Sequence, residues 1–193
     1  MLQLKRSLLT FFWLSLICGL IYPLAVTVTA QAVFPEKANG SIIKKGDQIM
    51  GSHLIGQLFT RPEYFHGRPQ APSPQYDAAN SGGSNLGPSN AKLVAQAVAR
   101  VQQVRLENGL PLNASVPADL VLTSASGLDP HISPMSAELQ VRRIAGERNI
   151  SENELKKIIQ QNTEQPLLGI WGKERVNVLM LNLALDSIAR NRR

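Results

Sequence analysis

The chain has 193 residues, 44% of them hydrophobic and 18% charged, with 20 Lys and Arg against 14 Asp and Glu, for a formal net charge of +6. That apolar content is enough for a packed core, and a positive balance this mild, with no basic stripe interleaved with aromatics, argues against nucleic acid as a partner. The single cysteine, Cys18, excludes a disulfide framework and a thiol pair for metal or redox chemistry.

The first element is the most decisive. No charged side chain occurs between Arg6 and Glu36. A bilayer's hydrocarbon core, ~30 Å thick, needs about 20 apolar residues in a helix, and Leu8 to Val28 supplies them. Tyr22-Pro23 interrupts the run without ending it, since proline is tolerated in spanning helices. A buried core helix would stop sooner. Lys5, Arg6 and the small-x-small triplet Ala30-Gln31-Ala32 also fit a secretory signal cleaved after Ala32, but the apolar stretch is longer than a signal requires. The expected division is a cytoplasmic tail over 1–7, a membrane helix over 8–33 and an extracytoplasmic domain over 34–193. The basic N-terminal tail stays inside and the long domain translocates. Ser15, Gly19 and Ala25 are the positions at which a neighbouring helix could approach closely or bond, with lipid covering the rest.

Beyond the span, Ile49 to Phe59 reads as a strand. Thr60 to Ser89 is rich in proline and glycine. Its aromatics Tyr64, Phe65 and Tyr76 mark it as a packed surface loop rather than a disordered linker. Ser89 or Asn90 caps a helix running to about Glu107, with Val94, Ala97, Val98, Val101 and Val104 on one face, stopped by Gly109-Leu110-Pro111. Val116 to Thr123 reads as a second strand. Ser133-Pro134 starts a second helix with Ala137, Val141, Ile144 and Ala145 inward. Ser151 to Glu154 is a capping box for a third, with Leu155, Ile158 and Ile159 inward. Val176 to Arg190 is a fourth helix, with a strand from Val176 to Leu181 as the alternative. The fold class is α+β: one membrane helix, then a compact domain of mixed helices and short strands.

Chemistry is sparse. Ser124, Ser126, Asp129 and His131 fall within nine residues, and a membrane-anchored hydrolase using Ser126 and His131 is one reading. Triad members usually come from distant segments, however, and no Gly-x-Ser-x-Gly elbow is present, so a polar turn before a helix fits better. His53, His66 and His131 form no zinc-helix pattern, and no metal site is expected. Ser81, Gly82, Gly83, Ser84 and Asn85 make a glycine-rich entry to a helix. Backbone amides there could hold an anion, but the lysine of a phosphate-binding loop is missing.

Four stretches resemble one family. They are Gly51-Ser52-His53-Leu54-Ile55-Gly56-Gln57 with Tyr64-Phe65-His66-Gly67-Arg68-Pro69; Ser81 to Asn90; Ser126-Gly127-Leu128-Asp129-Pro130-His131-Ile132-Ser133-Pro134; and Val176-Asn177-Val178-Leu179 with Leu181-Asn182-Leu183-Ala184-Leu185-Asp186. In order and chain size the match is similar to the C subunit of the Kdp-type high-affinity potassium-transporting ATPase. Ala125 stands where the family often has glycine. The resemblance implies a non-catalytic accessory subunit in an inner (plasma) membrane complex. Its partners there are a channel-like potassium-binding subunit, a P-type ATPase subunit and a small single-helix subunit. It also implies a chaperone role that raises the ATPase subunit's affinity for ATP, with ATP the one cofactor to consider and none held firmly. Tyr64, Phe65, Asp129 and His131 then become candidates for docking on the domain surface. A structural cover at the outer potassium entrance is the alternative role. With the domain outside, Ser81 to Asn90 cannot meet cytoplasmic ATP.

Overall fold

The computed structural model describes residues 2–71 and 74–191, and side chains as far as residue 188. Two compact units divide near Met50.

The N-terminal unit is dominated by one apolar helix, Leu2–Val33, with no buried residue in its most apolar window. It comprises α1 (Leu2–Leu16), a π-helical turn (Ile17–Ile21) and α2 (Tyr22–Val33). The π turn lies just ahead of Pro23, and the Tyr22 amide reaches back to the Ile17 carbonyl, five residues away. Proline has no N–H and its ring crowds the carbonyl four residues earlier, so a wider turn absorbs the defect without breaking the helix. Helix thus begins before the expected Leu8. Ser15, Gly19 and Ala25 are all exposed along it. The Thr29 hydroxyl bonds the Ala25 carbonyl within the same helix. After α3 (Pro35–Ala38), β1 (Ile42–Lys45) and β2 (Gln48–Ser52) form a two-stranded sheet turned at Gly46. The strand expected over Ile49 to Phe59 therefore ends early. The Ser52 hydroxyl accepts the Leu54 amide and bends the chain.

The second unit packs three helices against a three-stranded sheet. The helices are α5 (Pro134–Arg148), α6 (Glu152–Gln161) and α7 (Val178–Asn191). The strands are β3 (His131–Ile132), β4 (Thr163–Glu164) and β5 (Arg175–Asn177), with β5 central and antiparallel to both neighbours. The caps are those expected: Ser133 and Ser151 accept the amides of Ser136 and Glu154. Ala137, Val141 and Ile144 of α5, Leu155, Ile158 and Ile159 of α6, and Leu181 and Leu185 of α7 form the core with Ile132 and Val176. At Val176 both sequence readings hold in part, because a three-residue strand runs directly into the helix. Asn177 makes the switch: its Oδ1 accepts the Met180 amide while its Nδ2 donates to the His53 carbonyl.

One expectation fails for a tertiary reason. Val116 to Thr123 is not a strand. It holds a 3-10 turn at Ala118–Leu120, and the carbonyls of Val121, Leu122 and Thr123 are taken by the guanidinium groups of Arg100 and Arg68 instead of a neighbouring strand. The helix α4 (Ala91–Glu107) starts at Asn90 and ends at Glu107 as expected, with Val104 packed against the core. Val94 and Val98 lie open.

Candidate functional site

The loop over 60–89 contains neither helix nor strand among its described residues, yet its first third is held closely from α5 and α7. Asn182 of α7 clamps Phe65 on both sides, accepting its amide at 2.9 Å and donating to its carbonyl at 3.0 Å. Gln140 of α5 does the same for His66, at 2.8 and 3.1 Å. Arg143 reaches the carbonyls of Pro62 and Tyr64. Arg148 bonds the Glu63 carbonyl, pairs with Asp186 at 2.9 Å and lies over the Tyr64 ring. These side chains replace the ladder that a loop lacks, satisfying backbone groups that would otherwise be buried unpaired.

The clamped loop delivers Arg68 to Asp129. Arg68 Nη1 lies 2.7 Å from Asp129 Oδ2, and the Asp129 Oδ1 accepts the His131 amide at 3.0 Å and faces the His131 ring at 3.5 Å. Beyond His131, Glu164 of β4 sits 3.8 Å away, with His53 at 3.7 Å and Arg175 at 2.9 Å on its other sides. The result is a chain of polar side chains, Arg68–Asp129–His131–Glu164–Arg175, with an ion pair at each end, across one end of the sheet. Burial alone would raise the Asp129 pKa, but hydrogen bonds from His131 and the Arg68 guanidinium outweigh it and bring the carboxyl to about 2. The backbone closes tightly here. The Gly56 amide donates to the Leu128 carbonyl, and a Cβ on Gly56 would stand 2.8 Å from the Asp129 carbonyl oxygen. Tyr76, whose burial raises its pKa, covers the same spot and donates to the Arg68 carbonyl.

The structure commits both serine hydroxyls to partners other than His131. The Ser124 hydroxyl is buried, donates to Gln70 and accepts the Gly127 amide. The Ser126 hydroxyl accepts the Leu128 amide as a turn element. Among the described residues His131 Nε2 has no hydrogen-bond partner, so neither serine is bonded to it there. Among the described residues no group of three His, Cys, Asp or Glu side chains is placed to hold a metal.

The glycine-rich segment packs on the same turn. The Ser81 hydroxyl and the Gly82 amide both donate to the Ser126 carbonyl. Gly83 and Ser84, without Ser81, Gly82 or Asn85, line a cavity of 240 Å³ with Lys92 and Arg100, smaller than the ~300–1,000 Å³ usual for small-molecule sites. A larger cavity of 480 Å³ lies between α4 and the clamped loop, lined by Phe59, His66, Arg68, Tyr76, Arg100 and Glu107 among others. Burial and the nearby Arg143 lower the His66 pKa, against the opposing pull of Glu107, whose carboxylate lies 3.5 Å from the His66 ring.

Of the docking candidates on the domain, Phe65 is a correction. It is 0% exposed and belongs to the core. Tyr64, Asp129 and His131 are half-buried and engaged within the domain. Sequence reasoning marked Tyr76 as a packed aromatic but missed Arg68, Gln140, Arg143 and Asn182 as the residues that shape this region. Only Arg68 and Asn182 fell within the family-like stretches, and nothing local marks Gln140 or Arg143, whose partners lie some eighty residues away.

Comparison with known proteins agrees with the resemblance. Residues 4–187 match the family described as KdpC: K+-transporting ATPase, c chain. The potassium-transporting ATPase KdpC subunit of Beijerinckia indica subsp. indica is 50% identical over 188 residues, covering 97% of this chain and 95% of that one. That of Caulobacter vibrioides (strain NA1000 / CB15N) is 49% identical over 186 residues, covering 96% and 93%. That of Mycobacterium tuberculosis (strain ATCC 25177 / H37Ra) is 47% identical over 186 residues, covering 96% and 98%.

Proposed function

The chain belongs to the KdpC family, the c chains of K+-transporting ATPases, and from that premise we propose that it is the accessory subunit that anchors and completes a potassium-importing complex from the outer face of the inner membrane. It is a subunit and not a catalyst by itself. One observation carries the reading. A 32-residue apolar helix has none of its most apolar window covered by its own chain. Such a surface needs lipid and neighbouring helices as its cover. The helix is then the docking element, through the exposed Ser15, Gly19 and Ala25, on the channel-like subunit. The domain over 51–193 stabilises the assembly with the P-type ATPase subunit and the small single-helix subunit, and covers the potassium entrance.

Two features support the structural role over direct work on ATP. The Ser81 hydroxyl and the Gly82 amide are spent on the Ser126 carbonyl, and Lys5 and Arg6 favour a cytoplasmic N-terminus with the domain outside. An increase in the ATPase subunit's nucleotide affinity is then transmitted through the span, as a coupling between sites, and not through a shared nucleotide.

Topology is the test. Asn113 is exposed. With Cys18 replaced by serine, Asn113→Cys in the assembled complex should react with a membrane-impermeant maleimide in intact spheroplasts. Labelling only after lysis would put the domain in the cytoplasm and overturn the proposal.

A further inference from the structure

The hairpin that joins β4 to β5 carries the most exposed apolar cluster of the second unit. Leu167, Leu168, Ile170 and Trp171 are 67%, 76%, 78% and 66% exposed. Isolated exposed leucines need no explanation, but four large apolar side chains within five residues do.

The hairpin is built to hold them rigidly. At its base the β4–β5 register pairs Glu164 with Arg175, and their side chains meet at 2.9 Å. Further out, Leu167 and Trp171 exchange both backbone hydrogen bonds, at 2.9 and 3.0 Å. At the tip Leu168 and Gly169 both have positive φ, 55° and 72°, and the Ile170 amide closes the turn on the Leu167 carbonyl. Tight hairpin turns of this kind favour Asn-Gly or Asp-Gly, because a branched side chain is strained in the left-handed region. Here leucine occupies the strained position and projects into solvent. Strain held at an exposed apolar tip points to a function for the tip itself.

We propose that this knob inserts into an apolar socket on another subunit of the same ATPase assembly, a reading that rests on the family assignment for the existence of that subunit. Three observations select a protein socket over lipid or a second copy. Preorganisation lowers the entropy cost of a specific contact, whereas a fluid bilayer requires none. The flanking charges cancel: Glu164 and Glu174 balance Lys173 and Arg175, so the basic flank that an anionic membrane surface attracts is missing. The knob is also small, with four large apolar side chains within residues 167–171, against the roughly 20–30 residues a side of a free-standing interface such as a dimer. A small contact suffices for a chain already held in the complex by its spanning helix, because the second contact is then effectively intramolecular. Trp with large aliphatics is the composition of an anchor that fills a pocket.

The test uses the full chain in its complex. A photo-crosslinking phenylalanine at Trp171 should yield an adduct with a different subunit, identified by mass spectrometry. The same probe at Leu112, 85% exposed elsewhere on the domain, should yield at least about tenfold less. The double variant Leu168→Asn, Trp171→Ser should lower recovery of the intact complex in detergent about tenfold or more. The melting temperature of the isolated chain should not fall, since these side chains are exposed and asparagine suits the positive φ at 168 better than leucine does. Adducts only with lipid or a second copy, no adduct, or wild-type recovery of the double variant would each overturn the proposal. Failure of the wild-type chain itself to co-purify with ATPase subunits would overturn the family reading, and the proposal with it.

Discussion

Replacing Asn182 with alanine tests whether the clamp on Phe65 organises the long loop. Asn182 is 2% exposed, and its carboxamide holds both the amide and the carbonyl of a fully buried residue. Alanine removes both partners at once. Each orphaned buried group costs about 1–3 kcal/mol. Relaxation of the loop toward water recovers part of this, which leaves about 3 kcal/mol for the pair. In a domain of about 140 residues, each kcal/mol lowers the melting temperature by roughly 3 °C. The expected fall is therefore about 9 °C. It can be read by near-ultraviolet circular dichroism on the detergent-solubilised full chain. Hydrogen exchange should localise the gain in mobility to residues 62–70, the segment bound by Gln140, Arg143 and Arg148 as well. A fall of less than about 2 °C, or unchanged protection of that segment, would refute the idea that side-chain clamps substitute for a strand there.

Truncating Phe65 itself to alanine should cost about 3–5 kcal/mol, as expected for emptying a fully buried aromatic site, and calorimetry would measure it; a cost near zero would return Phe65 to the surface. For Asp129 the pKa of about 2 lies below the ordinary carboxylate value, so its ion pairs stabilise the fold fully above about pH 5, and that stability is lost as pH falls through about 2. With a quarter of the side chain exposed, solvent screening leaves about 1 kcal/mol. Asp129→Asn should therefore melt lower than wild type at about pH 6, with the gap closing as pH approaches about 2; a gap independent of pH would contradict the charge assignment. Ser126→Ala should leave potassium import by the complex unchanged, since its hydroxyl only accepts the Leu128 amide, and loss of transport in a normally assembled complex would revive a nucleophilic role.

Residues whose signal is local were legible in the chain. The charge-free run reports a spanning helix because hydrocarbon admits no unpaired charge over its thickness, and Ser133, Ser151 and Asn90 report helix starts because each cap bonds an amide two or three residues away. The buried faces of α5, α6 and α7 follow from the helical period. What only the tertiary structure decided depends on bonds across long separations. The clamp on Phe65 joins residues 117 apart, and that on His66 joins residues 74 apart. Such bonds turn a proline-rich stretch into part of the core and draw Arg68 and Arg100 onto carbonyls that a strand would have used. Ser124, Ser126, Asp129 and His131 lie together in sequence like catalytic groups, but the fold commits them to turn hydrogen bonds and ion pairs. Side-chain type and spacing cannot say which partner a polar group will find; that is decided when distant segments meet and every buried donor and acceptor must be satisfied.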